Sequence, residues 1–157
     1  MIRYKTYMRE IPKKFKKVKV SFCNKPNGGL WGCRGDEWKE WCEREEFALE
    51  NLKICFTWRL KRGSKVYKIK TKKDFDYLVN NYVLYLDGMP MSIDFVKLSK
   101  EYDAVEAVGD IVYKLRYGTC RDINDKLFLI KSMGLYSWDV PSICVMNPDK
   151  VVYERKM

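Results

Sequence analysis

The sequence predicts an α+β domain, and three observations carry that assignment. Hydrophobic residues make up 46% of the 157 positions and aromatics 15%, ample material for a core. Patterns of period two and of helical period succeed one another irregularly, giving about six strands, often consecutive, and three or four helices. Neither G-x-G-x-x-G nor G-x-x-x-x-G-K-[ST] occurs, so the dinucleotide-binding Rossmann and P-loop architectures are excluded.

At this length the chain reads as one domain, 1–157, with a basic N-terminal segment over 1–15 and a folded core over 16–157. Residues 16–23, KKVKVSFC, alternate charged with apolar positions and predict a half-buried strand. Asn24-Lys25-Pro26-Asn27-Gly28-Gly29 predicts a turn, because proline fixes φ and glycine admits positive φ. Leu30–Cys33 begins the next strand or loop. The stretch from Asp36 to about Leu52 predicts a helix with acids at its start and Trp38, Trp41 and Cys42 on one face.

Ile54–Leu60 reads as a strand, Arg62-Gly63-Ser64 as a turn and Lys65–Lys70 as a second strand. Thr71 is placed to cap a helix running to Leu78–Tyr82, and Ser92 to cap a short helix, IDFVKLSKEY. Asp103–Val108 reads as a short strand. A charged stretch from Asp110 to Met133 is ambiguous apart from a helix around Asp125–Met133. Ser142–Met146 is a buried strand, Asn147-Pro148-Asp149 a turn, and Lys150–Tyr153 a last strand.

Composition narrows the chemistry. With no histidine in the chain, Ser-His-Asp and Cys-His hydrolases, HExxH metalloproteases and histidine-dependent nucleases are excluded. Any general base must be a carboxylate, a lysine, a tyrosine or a thiolate. The six cysteines form no C-x-x-C pair, which argues against a zinc site and leaves no metal expected. No apolar run approaches the roughly 20 residues of a membrane helix. The first residues lack an apolar h-region and a cleavage site, so we expect a cytoplasmic protein with reduced thiols.

The net charge of +10 predicts attraction to nucleic acid or to an acidic protein surface. Two clusters concentrate it, KKFKKVKV at 13–20 and KRGSKVYKIKTKK at 61–73. The competing explanation is a solvated strand edge whose lysines discourage pairing with other chains.

Three local features invite a functional reading, each beside a structural one. In the loop NKPNGGLWGC at 24–33, adjacent glycines let backbone N–H groups approach a ligand and Trp31 offers a flat face; the alternative is a tight turn with a core tryptophan. Glu106 stands among small apolar residues in DAVEAV, where burial needs a partner or a function; the alternative is an edge-strand glutamate facing water. Asp139, in Tyr136-Ser137-Trp138-Asp139, sits at a strand mouth; the alternative is a turn aspartate ahead of Pro141.

The ordered set K-P-x-G-G-L-W-G, a W-x-x-W helix, D-A-V-E and Y-x-W-D-x-x-S-I-x-V-x-N-P-D resembles a group of small phage and bacterial proteins with an ADP-ribosyltransferase-like fold. It is similar, more distantly, to a phage anti-CRISPR ADP-ribosyltransferase that shares a G-G-L-[FW]-G loop and a late V-E strand. The resemblance spans most of residues 18–153. It implies a split, mainly antiparallel sheet with flanking helices that clasps NAD, in a transferase acting on a host protein or nucleic acid in the host cytosol. Carried over, Asn24, Lys25, Gly29, Leu30, Trp31 and Cys33 bind the cofactor, Trp38 offers a second aromatic wall, and Glu106, with Asp139 as competitor, is the catalytic carboxylate. Family members often carry His or Arg on the first strand and Ser or Thr on the second, where this chain has Lys25 and Cys33. Two other functions fit the residues: a non-enzymatic basic binding module, and a protein that sequesters a nucleotide signal in the same cleft.

Overall fold

A computed structural model describes residues 1–156, with side chains through 154. The described residues form nine strands and five helices, an α+β arrangement. In chain order these are β1 (Tyr4–Met8), β2 (Leu30–Gly32), α1 (Glu37–Glu45), β3 (Ile54–Leu60), β4 (Val66–Ile69), α2 (Lys72–Asn81), β5 (Val83–Leu86) and β6 (Met89–Ile93). There follow α3 (Phe95–Ser99), β7 (Ala104–Ala107), α4 (Ile111–Lys114), α5 (Phe128–Met133), β8 (Ser142–Val145) and β9 (Val151–Lys156). No helix among the described residues is long and apolar enough to cross a membrane.

Two sheets organise the molecule. One has the order β1-β3-β9 and is antiparallel throughout. The other has the order β2-β8-β7-β4, in which only β4 and β7 run parallel. Parity along these strands separates two cores. The row Trp31, Cys144, Val105 and Tyr67 faces the larger core, with Phe75, Leu78, Leu98 and Ile130 from the helices. The row Leu30, Val145, Ala104 and Val66 faces the three-stranded sheet, where Tyr4, Phe56 and Trp58 complete a smaller core. Stacking of Tyr4 on Trp58, with ring centroids 4.9 Å apart, fastens β1 to that core.

The N-terminal residues are therefore not a tail. Tyr4 and Thr6 point inward, 3% and 7% exposed, while Lys5 and Tyr7 point the other way, a period-two pattern that marks a strand. The predicted strand at 16–23 does not form; among these residues only Lys19 makes a bridge, to Asn27. β1 and β9 already occupy both edges of β3, so the segment cannot pair there. Its alternation also lacks a face to bury: Val18 is covered, while Val20 and Phe22 stay exposed.

The first helix is shorter than the sequence suggests. It stops at Glu45, after which Glu46 and Ala48 adopt left-handed φ values of 51° and 48°, and a single 3-10 turn follows at Leu49–Leu52. Beyond Cys42 there is no further apolar residue to bury until Phe47, which is itself exposed. Thr71 caps α2 through a capping box with Asp74. Ser92, in contrast, lies within β6 and donates its hydroxyl to the Ser21 carbonyl (2.6 Å). Asp94 caps α3 by accepting from the Lys97 N–H (2.9 Å). The cause is the hairpin β5–β6, closed by Asp87-Gly88 with φ of 50° and 77°, both positive as a two-residue type I′ turn demands.

Because β1 contributes a buried aromatic to the smaller core, Tyr4→Ala is expected to destabilise the fold by about 3–5 kcal/mol, the cost of deleting a large core ring. Urea unfolding checks this; an effect under about 1 kcal/mol would mean that β1 is peripheral.

Candidate functional site: a tryptophan-lined cleft where the two sheets part

The two sheets meet at one residue pair. The Lys5 N–H donates to the Cys33 carbonyl (2.7 Å) and the Cys33 N–H to the Lys5 carbonyl (3.0 Å). Beyond this bridge β1 and β2 diverge, and the next link is made by a side chain: Thr6 Oγ1 donates to the Trp31 carbonyl (2.6 Å) and receives the Trp58 Nε1–H (2.8 Å). The opening holds a cavity of about 280 Å³, lined by both strands, by the loop before β2, by Trp38 of α1 and by Trp138–Val140.

Two glycines of the loop are required by this geometry. Gly29 has φ +73°, and a Cβ there would lie 2.6 Å from the Val145 carbonyl oxygen. A Cβ on Gly32 would lie 2.7 Å from Trp58 Cζ2, so β2 approaches the smaller core only without a side chain at that point.

Aromatic rings supply the walls. Trp31 donates its indole N–H to the Gly28 carbonyl (3.0 Å) and meets Trp138 edge to face, centroids 5.1 Å apart. Trp38 is held by a parallel stack on Trp41 at 5.2 Å. Lys25 places its ammonium 5.1 Å from the centre of the Trp31 ring. Lys5 is engaged by Asp36 (3.2 Å), whose carboxyl is held below its usual range first by the Tyr7 hydroxyl (2.6 Å) and then by Lys5. Asp139 lines the cavity, and its backbone carbonyl is 3.5 Å from Arg116 Nη2.

Of the residues singled out in the sequence, Lys25, Gly29, Leu30, Trp31, Cys33, Trp38 and Asp139 line this one cavity. Asn24 does not. It is 2% exposed and braces the loop against the end of α5, its side-chain amide donating to the carbonyls of Ile130 (2.9 Å) and Gly134 (3.0 Å), while its backbone carbonyl accepts the Trp138 indole N–H (2.7 Å). Cys33 is buried, and its thiol is pushed up to about 12 by desolvation and then by nearby Glu37, which makes it a poor nucleophile.

Glu106 stands elsewhere. It pairs with Ile143 and Lys68 across the sheet, in the row that faces the three-stranded sheet, so its side chain leaves the opposite face from Trp31. Nor does it face water, being 2% exposed on an interior strand. Arg34 grips it with two bonds, Nε to Oε2 (2.8 Å) and Nη2 to Oε1 (2.9 Å), and the Tyr4 hydroxyl donates to Oε1 (3.2 Å). Burial, with Glu106 second, pushes the Tyr4 phenol well above its ordinary range.

Lys5, Thr6, Tyr7, Phe15 and Trp138 also line the cleft, though the sequence did not single them out as site residues. Trp138 had a signal, its place beside Asp139. The β1 residues required recognising the strand first.

Arg34→Met removes the partner of a buried carboxylate and should cost about 3 kcal/mol, the low end for a broken buried pair because Arg34 is itself half exposed. Adding Glu106→Gln, which removes the stranded charge, should recover part of the loss; no recovery would point to packing alone. For the thiols, alkylation of the native protein at pH 8 should label exposed Cys23 first and spare buried Cys33, Cys42 and Cys144, as peptide mapping would show. The raised Cys33 value adds a sign: its contribution to stability is complete below pH 9.0, the ordinary thiol value, and fades as pH climbs toward about 12. Neither a protein-family model, nor a curated protein, nor a solved structure matches this chain, so any reading of the cleft stands on its own residues.

Proposed function

We propose that the cleft between β1 and β2 binds a nucleotide of the NAD class, and that any ADP-ribosyl transfer it supports depends on Asp139. One observation carries the reading: Trp31, Trp38 and Trp138 share a cavity with a cation, Lys25, and a carboxylate, Asp139. Indole faces suit a planar base or a nicotinamide ring, an ammonium suits phosphate, and a carboxylate accepts from ribose hydroxyls. The volume of about 280 Å³ lies just under the ~300–1,000 Å³ of typical ligand pockets. It suits one nucleoside half of a dinucleotide, the other half lying outside the enclosure.

NAD, when bound, would supply the activated ribosyl group. A carboxylate assists its transfer only through a negative charge facing the reacting carbon. Glu106, neutralised by Arg34 and directed to the other face of the sheet, does not meet that condition, whereas Asp139 lines the cavity. Binding without turnover, as in a nucleotide-sequestering protein, uses the same walls and dispenses with Asp139.

Thermal unfolding in the presence of NAD and of AMP tests the proposal. A ligand at a hundredfold its Kd adds about 2.7 kcal/mol, which in a chain of this size corresponds to a rise of about 5–10 °C. Trp31→Ala should abolish the rise. Asp139→Asn should leave it in place and cut NAD consumption by about a hundredfold or more, while Glu106→Gln should lower the melting temperature of the free protein. Absence of any shift with either nucleotide rejects the binding; unchanged turnover in Asp139→Asn rejects its catalytic role.

A further inference from the structure

Between β1 and β2 the chain runs as an irregular strap whose charge is one-sided. From Ile11 to Gly29 there are six lysines and no aspartate or glutamate. The path of the strap is set at several points. The Gly29 N–H donates to the Lys16 carbonyl (3.1 Å), the Lys19 N–H to the Asn27 carbonyl (2.8 Å), and the Val18 N–H to the Met146 carbonyl (3.4 Å). Phe15 turns inward, packs against Phe56 and Tyr153 with centroids 6.3 and 6.4 Å away, and forms part of the cavity wall. Lys14 and Lys16 flank Phe15 directly, and both are exposed, as are Lys13 and Lys17. None of these six lysines is in an ion pair among the described residues.

This places a row of solvent-facing ammonium groups beside the mouth of a cavity walled by indoles. The other basic cluster is set apart from it. Residues 65–70 are centred on β4, the far edge of the sheet from β2. With β8 and β7 between them, the two edges stand roughly 14 Å apart, three strand spacings. Its lysines fit the protective role of an edge strand.

We propose that the cavity and the lysine strap form one site for single-stranded nucleic acid, with one unstacked base in the tryptophan-lined cavity and backbone phosphates along Lys13, Lys14, Lys16 and Lys17. The proposal rests on the reading that the cavity accepts a nucleotide ring. Stacking on aromatic walls beside a basic track is how single strands are held without sequence preference. A base stacked and paired within a duplex cannot turn into a cavity between two sheets, so the site discriminates against double strands. The cavity volume, about 280 Å³, matches one nucleoside and not a stacked run.

The test uses the full-length protein and a fluorescein-labelled 12-mer, as DNA and as RNA, single-stranded and annealed, read by anisotropy. Single strands should bind at least tenfold more tightly than duplex. AMP should compete, and each phosphate contact should add about −0.7 to the slope of log K against log salt. Lys14→Glu with Lys16→Glu should weaken the 12-mer at least tenfold while leaving the melting temperature and AMP binding within error. Lys72→Glu with Lys73→Glu, at the start of α2 just after the far-edge strand β4, should change the affinity less than twofold. Trp31→Ala should lower the affinity of the 12-mer; if the variant unfolds early, quenching of tryptophan fluorescence by the 12-mer in the wild-type protein is the substitute readout. Equal binding of duplex, equal sensitivity to the two charge reversals, or no competition by AMP would overturn the proposal. If AMP and NAD stabilise the protein but no oligonucleotide binds, this inference falls and the nucleotide reading stands. If none of them binds, both fall.

Discussion

Glu106 and its partners hold the two sheets in register. The carboxylate leaves the interior strand β7 toward the smaller core, where it would be costly to bury alone. Arg34, just past β2, takes both of its oxygens, and Tyr4 of β1 donates a third bond. One side chain therefore ties the four-stranded sheet, the loop after β2 and the first strand of the other sheet. Among the described residues the backbone pairing between the sheets is the Lys5–Cys33 pair, and this buried cluster adds a second tie beside it. The cleft exists because the clamp ends where it does.

The shape and lining of the cleft follow from that parting. A continuous sheet from β1 to β2 would have satisfied the strand edges with a ladder and left no space. Here Thr6 takes over the Trp31 carbonyl with its hydroxyl, and the space left open is walled by Trp31, Trp38 and Trp138. Gly29 and Gly32 let the backbone of the loop and of β2 lie against β8 and Trp58 where any side chain would collide. The loop is then pinned from behind by Asn24 and Trp138, so the ring of Trp31 is presented by a braced element.

Charge is distributed to match. The carboxylate with the strongest burial is neutralised, whereas the one left at the cavity wall, Asp139, is half-buried. The lysines of the strap stay in water beside the opening, where long-range attraction to an anion is effective and desolvation is not required. Lys65, Lys68 and Lys70, on and beside β4, lie at the opposite edge, so the two basic clusters, alike in composition, occupy different surfaces.

Much of the secondary structure was local and could be read residue by residue. β3, β4, β7 and β8, the Thr71 cap and the Arg62-Gly63-Ser64 turn all follow from short-range pattern. The Asp87-Gly88 hairpin and the alternation of Tyr4–Met8 carried equally local signals, obscured by the charged context around them. The loop at 24–33 was also legible, because glycine pairs and a tryptophan announce a close approach. What the sequence could not determine was direction. Whether Glu106 and Trp31 meet depends on the register of β7 and β2 against β8, a non-local quantity in which a shift of one residue moves a side chain to the other face. The strand expected at 16–23 fails for a related reason: its alternation is real, but Val20 and Phe22 find no surface to pack against. Local pattern determined which residues form strands and which loops carry aromatic rings; only the tertiary pairing decided which face each side chain occupies, and so which carboxylate lines the cleft and which one holds the sheets together.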